Sequence, residues 1–326
     1  MLSVKPDSRT EGKVDNPGAS MEKKVDAAVA EIGKALLGKE PQIRLALCCL
    51  FSGGHLLIED LPGMGKTTLS HALARAFGLA YNRIQFTSDL LPADILGVSI
   101  FDQASGSFSF HPGPIFSQLI LADEINRTTP KTQSALLEAM EEGQVTTEGE
   151  TRALPQPFFV IATQNPVTLS GTFPLPESQL DRFLMRLHLG YPNQQAERAL
   201  LERDDQVDTT QSIRQCLSAT DVADFRKSSS QVHSSDSLLD YVQRLIAYTR
   251  NRDDFHYGLS PRGSLALMRA ARTWALMSGR NHVIPEDVQA VLPAVVEHRL
   301  RAVTDDDGHT GASLAQRLLN EVDVIQ

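Results

Sequence analysis

The sequence predicts an α/β domain built on a mainly parallel sheet, with a helical domain after it. Three observations carry that expectation. Apolar runs of strand length recur in the first half with helical patterns between them, the order that produces parallel sheets. Gly and Pro bound those runs. Beyond about Gln194 the periods are helical and no convincing strand follows. A chain of 326 residues suits two domains, and the boundary is expected near Tyr191-Pro192.

The elements follow in order. Residues 1–20 combine Pro, Gly, Ser and alternating charge and read as a disordered leader, without the apolar stretch of a secretory signal. From Met21 onward Val25, Val29, Ile32 and Leu36 share one helical face, and Gly38 is expected to cap that helix. A second apolar helix is expected from about Pro41 to Phe51, with proline in its first turn. "HLLIED" is a buried strand, and a helix runs from the "GKTT" after it to about Phe77. "SQLILADE" and "PFFVIATQNP" are two more buried strands. Two hairpins complete the first half. "VSIFDQASGSFSF" turns on glycine after the short helical "LPADILG", and "GQVTTEGETRAL" turns at Glu148-Gly149. The core domain is therefore 21–191, with the first hairpin inserted at about 90–111. The helical domain is 192–326, with a Ser-rich break at Lys227–Ser237 and an acidic, Gly-rich tail before one last short helix.

Composition narrows the function classes. A net charge of −9 argues against a surface built mainly to neutralise phosphate backbones, which disfavours nucleic acid as the partner. No apolar run approaches the roughly 20 residues that span a bilayer. Cys48, Cys49 and Cys216 have neither metal-ligand nor disulfide spacing, so packed, reduced thiols and a cytoplasmic protein are expected. Asn126-Arg127-Thr128 matches a glycosylation sequon by chance on this reading.

The chemistry concentrates in two segments. In "IEDLPGMGKTTL" a strand, a glycine loop and a helix occur in the order of a phosphate-binding loop. Gly63 and Gly65 allow the positive φ of a tight wrap, Lys66 reaches the β- and γ-phosphates, and Thr67 offers a hydroxyl to Mg²⁺. The strict pattern begins with glycine where this chain has Asp60, and a surface turn stays open on this loop alone. Aspartate tolerates unusual backbone angles, and its carboxylate must point away from bound phosphates. The second segment, "LILADE", ends an apolar strand on Asp123 and Glu124, where ligands of open α/β sheets bind. Asp123 would hold Mg²⁺, and Glu124 would orient and deprotonate a water. Two solvated acids at a strand end would be the plain alternative, and the preceding glycine loop weighs against it.

"HLLIEDLPGMGKTTL", "FTSDLLPADILG", "GPIFSQLILADEINRTTPKTQSALLEAMEEGQVT", "PFFVIATQNP" and "FPLPESQLDRF" together resemble the MoxR family of AAA+ ATPases. The resemblance runs from about Lys34 to Tyr191, and "LSPRGSLALMRAAR" extends it. It implies an AAA+ P-loop core with a C-terminal helical lid, and it makes Asp60 a family variant. The phosphate loop is then Pro62, Gly63, Met64, Gly65, Lys66, Thr67 and Thr68, with Thr67 and Asp123 on Mg²⁺ and Glu124 as base. Asn165 matches the sensor-1 residue, Arg182 the arginine finger that serves a neighbouring subunit, and Arg262 the sensor-2 arginine of the lid. Without the family, Asn165 would read as a turn former before proline, and Asp181–Arg182 as a surface pair. "LLGKEPQ" resembles the segment lining the adenine pocket. The first hairpin resembles the helix-2 insert. Hairpin aromatics usually pack down on a sheet, so Phe101, Phe108 and Phe110 are expected in the core, with a partner-facing role as the alternative. "VTLSGTFPLPE" and Ser178 depart from the family pattern away from the nucleotide chemistry.

The resemblance implies a homo-oligomeric ring, a hexamer, that hydrolyses ATP with Mg²⁺ to remodel or activate a client protein. A partner with a von Willebrand factor A-type domain is implied too. A metal-insertion motor similar to the magnesium chelatase subunit, and a nucleic-acid motor, are the alternatives. A non-hydrolysing switch is disfavoured by Glu124 and Arg182.

Overall fold

The computed structural model describes residues 17–104, 106–165, 172–202, 209–252, 255–302 and 313–325. Two helices come first, α1 (Pro17–Gly33) and α2 (Glu40–Phe51). Helix α1 begins ahead of Met21, so residues 17–20 are helical and not leader; the rest of the expected leader lies outside the described residues. The same helix stops before Gly38. Lys34 and Ala35 donate to carbonyls three residues back, the tightened bonding of a last turn, and Gly38 follows at φ 67°.

The chain then runs through β1 (Leu56–Glu59), α3 (Lys66–Phe77), β2 (Tyr81–Gln85) and α4 (Pro92–Leu96). The hairpin β3 (Gly97–Asp102) and β4 (Ser107–Pro112) leads to β5 (Leu119–Asp123) and α5 (Pro130–Glu142). A second hairpin, β6 (Gln144–Thr147) and β7 (Glu150–Ala153), turns through Glu148 and Gly149, both at positive φ. Next come β8 (Phe159–Gln164), α6 (Glu177–Leu180) and β9 (Met185–Leu187).

Five strands form one parallel sheet in the order β2-β5-β8-β1-β9. Its central strands are buried on both faces, and their residues alternate between two apolar clusters. Leu56, Ile58, Leu121 and Phe159 pack with α1, α2 and α3, whereas Leu57, Ile120, Val160 and Ala162 pack with α5. Strand β2 escaped the sequence reading because only Ile84 of "YNRIQ" is buried on this sheet edge. Strand β9 has three residues, too few to show a period.

After β9 the described chain is helical: α7 (Gln194–Leu201), α8 (Ala219–Ser229) and α9 (Asp236–Asn251) precede α10 (Pro261–Met277), α11 (Pro285–Val296) and α12 (Leu314–Glu321). The expectation of no strand there is corrected by a small antiparallel pair, β10 (Phe255–Tyr257) with β11 (Arg301–Ala302). In the Ser-rich stretch, Ser235 caps α9 by accepting from Leu238 N–H. The acidic tail segment 303–312 lies outside the described residues. Helix α10 packs on α1, α2, α8 and α11, so one apolar cluster runs from the sheet into the helical part.

The hairpin β3–β4 pairs only with itself, standing off the main sheet. The core expectation for its aromatics is therefore corrected. Phe101 and Phe108 are 51% and 73% exposed, because no layer covers this two-stranded ribbon. Phe110 is half-buried, with the Arg152 guanidinium 3.8 Å from its ring centre. Among the described residues no helix is long and apolar enough to cross a membrane. The three cysteines are free; burial pushes the Cys48 thiol up to about 12 and raises that of Cys49.

Candidate active site

The C-terminal ends of β1, β5 and β8 open on one cleft of about 340 Å³. Pro62, Gly63, Gly65, Lys66, Thr67 and Thr68 line one side, and Asp123, Glu124 and Asn165 line the other. Gly63 and Gly65 have φ of 84° and 88°, which only glycine adopts without strain. Helix α3 starts at Lys66, so its unpaired N–H groups and dipole face this space. Met64 differs from its neighbours: its side chain packs against the core.

Asp60 points as charge requires. Its carboxylate accepts from the N–H groups of Leu189 and Gly190, and its carbonyl accepts from Lys66 Nζ at 2.7 Å. The Lys66 ammonium also donates to Asn165 Oδ1 at 3.4 Å. Burial lowers the Lys66 pKa, and the nearby Asp123, Asp60 and Glu124 oppose that shift. A buried ammonium lining an open cleft at a helix start is suited to an anion.

Glu124 sits in the left-handed region at φ 58°, ψ 48°. Its N–H donates to Thr163 Oγ1 at 2.8 Å, and that hydroxyl donates to Asp123 Oδ1 at 2.6 Å. The Glu124 carboxylate accepts from Asn165 Nδ2 at 2.9 Å, Gln85 Nε2 at 3.2 Å and Arg127 Nε at 3.1 Å. Asp123 Oδ2 accepts from Arg83 at 2.6 Å. Asn165 thus bridges Lys66 and Glu124 through the two ends of one amide. Arg83, Gln85, Arg127 and Thr163 were missed in the sequence. Arg83 and Gln85 lie on β2, an edge strand with one buried residue and no apolar period, and Thr163 continues the buried run of β8 without a motif of its own.

Mg²⁺ fits the residues present. Among the described residues no group of three His, Cys, Asp or Glu is placed to hold a metal alone. The cleft offers the hard oxygens of the Thr67 hydroxyl and Asp123, and Mg²⁺ is usually bound by one or two protein oxygens plus substrate phosphates.

The two remaining arginines are elsewhere. Arg182 precedes β9, where Leu184 N–H donates to the His55 carbonyl just ahead of β1. This is the N-terminal end of the sheet, removed from the cleft by the length of β1, roughly 13 Å at ~3.3 Å per residue. Arg182 donates to the Leu137 carbonyl at 2.8 Å and pairs with Glu141 at 2.8 Å. Arg262, in the first turn of α10, pairs with the same Glu141 at 3.2 Å. Arg262 thus stands away from the phosphate cleft of its own chain. The N-cap of α10, Ser260, lies 3.4 Å from Asp181, and Asp181 is paired with Arg299, just past the end of α11, so the first turn of α10 is held at the opposite end of the sheet. The surface pair Asp181–Arg182 does not form either, since Asp181 pairs with Arg299 at 2.6 Å.

In the "LLGKEPQ" segment, the Lys39 ammonium donates to the Leu189 and Tyr191 carbonyls at 2.6 Å each. A Cβ on Gly65 would come within 2.8 Å of Leu36, so this segment packs directly on the phosphate loop.

Family models match the chain in two places. Residues 55–185 match "ATPase family associated with various cellular activities (AAA)", and residues 247–318 match an AAA lid domain. Chaperone MoxR1 of Mycobacterium tuberculosis is 40% identical over 85% of this chain and 75% of that protein. The chain belongs to the MoxR family of AAA+ ATPases. The uncharacterized protein YeaC of Bacillus subtilis is 46% identical over 84% of this chain and 85% of its own length. A crystal structure of a candidate ATPase from Cytophaga hutchinsonii superposes with a TM-score of 0.86 at 35% identity, covering 96% of this chain and 98% of that one. As a MoxR-family member the chain is an AAA+ ATPase, a family whose nucleotide is ATP.

Proposed function

We propose that this MoxR-family ATPase hydrolyses ATP in a ring of identical subunits and uses the cycle to remodel or activate a client protein. The observation that carries the ATPase site is the convergence of Lys66, Asp123, Glu124 and Asn165 on one cleft at the start of α3. Lys66 and the loop N–H groups hold the phosphates. Thr67 and Asp123 hold Mg²⁺, which supplies charge stabilisation when bound. Glu124 takes a proton from the attacking water, and Asn165 fixes the Glu124 carboxylate relative to the Lys66 end of the cleft. Catalysis of this type rests mainly on positioning and charge.

Arg182 and Arg262 support the ring. Both lie beyond reach of their own cleft and beside each other on Glu141. They serve the ATP of a neighbouring subunit in this reading. The division into a core at 21–191 and a lid at 192–326 belongs to the same proposal, as do six-fold order and a cytoplasmic location. The exposed apolar face of β3–β4 favours a protein partner over nucleic acid, and family likeness points to a von Willebrand factor A-type domain.

Two variants test the site. Lys66→Ala removes the cation nearest the β- and γ-phosphates and should abolish ATP binding in a calorimetric titration. Glu124→Gln keeps the shape and removes the base. It should bind ATP with Mg²⁺ yet turn over roughly 10²–10⁴-fold more slowly. Parent-rate hydrolysis by Glu124→Gln would reassign the base.

A further inference from the structure

A cavity larger than the phosphate cleft is lined by a separate set of residues. It measures about 690 Å³ and is bounded by the end of α2, the end of α8 and one face of α10. Four arginines line it, Arg226, Arg262, Arg269 and Arg272, and no carboxylate does. That is unusual in a chain of net charge −9.

The arginines are poorly compensated. Arg262, at the rim, shares Glu141 with Arg182. Among the described residues no acid pairs with Arg226, Arg269 or Arg272. Arg226 has only a 3.5 Å contact to the Leu50 carbonyl, and its Nε is buried with no hydrogen-bond partner. Its guanidinium lies against Gly53, where a Cβ would come within 3.1 Å of Nε. Arg272 Nε donates to Ser234 Oγ at 3.3 Å. Partial burial lowers the proton affinity of Arg226 and the neighbouring Arg269 guanidinium adds to it, while Arg269 itself is exposed at the cavity and feels the charge of Arg262. Like charges are normally kept apart or paired when water is partly excluded. A buried donor without a partner calls for an explanation, and a bound water or ion is one of them.

We propose that this cavity is an anion site for a phosphate chain, with Arg226, Arg269 and Arg272 holding phosphoryl oxygens and Arg262 closing the rim. Planar guanidiniums match phosphate oxygens two at a time, which suits a ligand with several phosphoryl groups. The volume lies in the range of small-molecule sites. No exposed aromatic ring lines the cavity, since Phe51 is fully buried, so recognition falls on the phosphates and not on a base. The phosphate chain is that of a free oligophosphate or nucleotide, bound apart from the hydrolysed ATP. The site stands apart from the phosphate loop and does not depend on its assignment.

The experiment uses the full chain carrying Lys66→Ala, which removes the loop as a competing site. Tripolyphosphate is titrated calorimetrically into protein whose oligomeric state is set by sedimentation. Saturable binding that falls roughly tenfold or more in each of Arg269→Gln and Arg272→Gln, partly restored by Arg269→Lys, supports a site for a free phosphate chain. Arg226→Gln is added with circular dichroism to verify folding, because Arg226 also packs on Gly53. The second arm uses rings with an intact loop. A tenfold rise in the KM for ATP in Arg269→Gln, without tripolyphosphate binding to Lys66→Ala protein, overturns the proposal by assigning the arginine to a neighbour's ATP. Absence of tripolyphosphate binding together with an unchanged KM in Arg269→Gln and Arg272→Gln overturns the proposal.

Discussion

Glu124 holds a backbone conformation that costs non-glycine residues about 1–3 kcal/mol, and its surroundings keep it there. Thr163 is the main tether: it accepts the Glu124 N–H and donates to Asp123. Thr163→Val keeps the shape but strands the Glu124 N–H. A loss of roughly 1–3 kcal/mol in a denaturation series is expected, together with slower ATP turnover as the Glu124 carboxylate loses its position. Parent stability and turnover in this variant would show that the hydroxyl is idle. A second residue-scale test concerns His55. Its ring is buried, with Nδ1 accepting from Val160 N–H and Nε2 donating to the Met140 carbonyl, and burial lowers its pKa to about 4. His298 is also buried and shifted well downward by burial. The unfolded chain, with histidine near 6.5, binds more protons than the folded one between about pH 6.5 and 4. Stability should therefore fall as pH drops through that window. For His55 alone the loss is on the order of 3 kcal/mol. A midpoint that holds steady from pH 7 to 5 would contradict neutral buried rings, and His55→Asn should flatten the slope.

At the scale of elements, the hairpin β3–β4 is set by a tight base and left free at its apolar strands. A Cβ on Gly97 would meet the His111 carbonyl at 2.4 Å, and one on Gly113 the Ile95 carbonyl at 2.2 Å, so the ribbon leaves α4 only where both residues are glycine. Past that base Ile100, Phe101 and Phe108 are exposed, with the two phenyl rings 5.2 Å apart. Such an apolar group on a solvent-facing ribbon contributes little to folding. Phe101→Ser and Phe108→Ser should each change stability by no more than about 0.5 kcal/mol, as for other exposed positions, while weakening capture of a protein partner. A drop of several degrees in the thermal midpoint would mean that the rings are packed in solution. Helix α10 is the opposite case. It is buried against four other helices, and this packing carries Arg262 away from the cleft of its own chain.

For the whole molecule, the decisive relation is between the phosphate cleft at one end of the sheet and Arg182 at the other. In the ring proposed above, a head-to-tail contact between identical subunits would bring the two together and close when the rotation allows. Arginine fingers supply roughly 10³–10⁵ in rate, so Arg182→Ala should bind ATP and hydrolyse it that much more slowly. Mixing separates a neighbour's arginine from one acting within its own chain. Lys66→Ala subunits offer a finger without a working loop; Arg182→Ala subunits offer a loop without a finger. The mixture should recover part of the activity, and specific activity should rise with protein concentration as rings assemble. Co-assembled mixtures that stay inactive would remove the intersubunit role.

The phosphate loop was legible in the sequence because its chemistry is local, with glycines, lysine and threonine within one turn between a strand and a helix, although Asp60 left a surface turn open until the wider resemblance was weighed. The sequence by itself determined the central strands, since "LILAD" and "FVIATQ" are apolar on both faces and bury only as inner parallel strands. Asp123 and Glu124 were legible as the acids that end such a strand. The tertiary structure decided what depends on packing between distant segments. Strand β2 became visible only by pairing with β5, and with it came Arg83 and Gln85, whose partners are some forty residues away. The exposure of Phe101 and Phe108 followed from the missing layer over their hairpin. The place of Arg262 followed from α10 docking on α1, α2 and α8 and from Arg299 holding Asp181, contacts between residues that no period or motif links. Local motifs state their own chemistry, whereas the side of the molecule a charge occupies is set by which apolar faces bury one another.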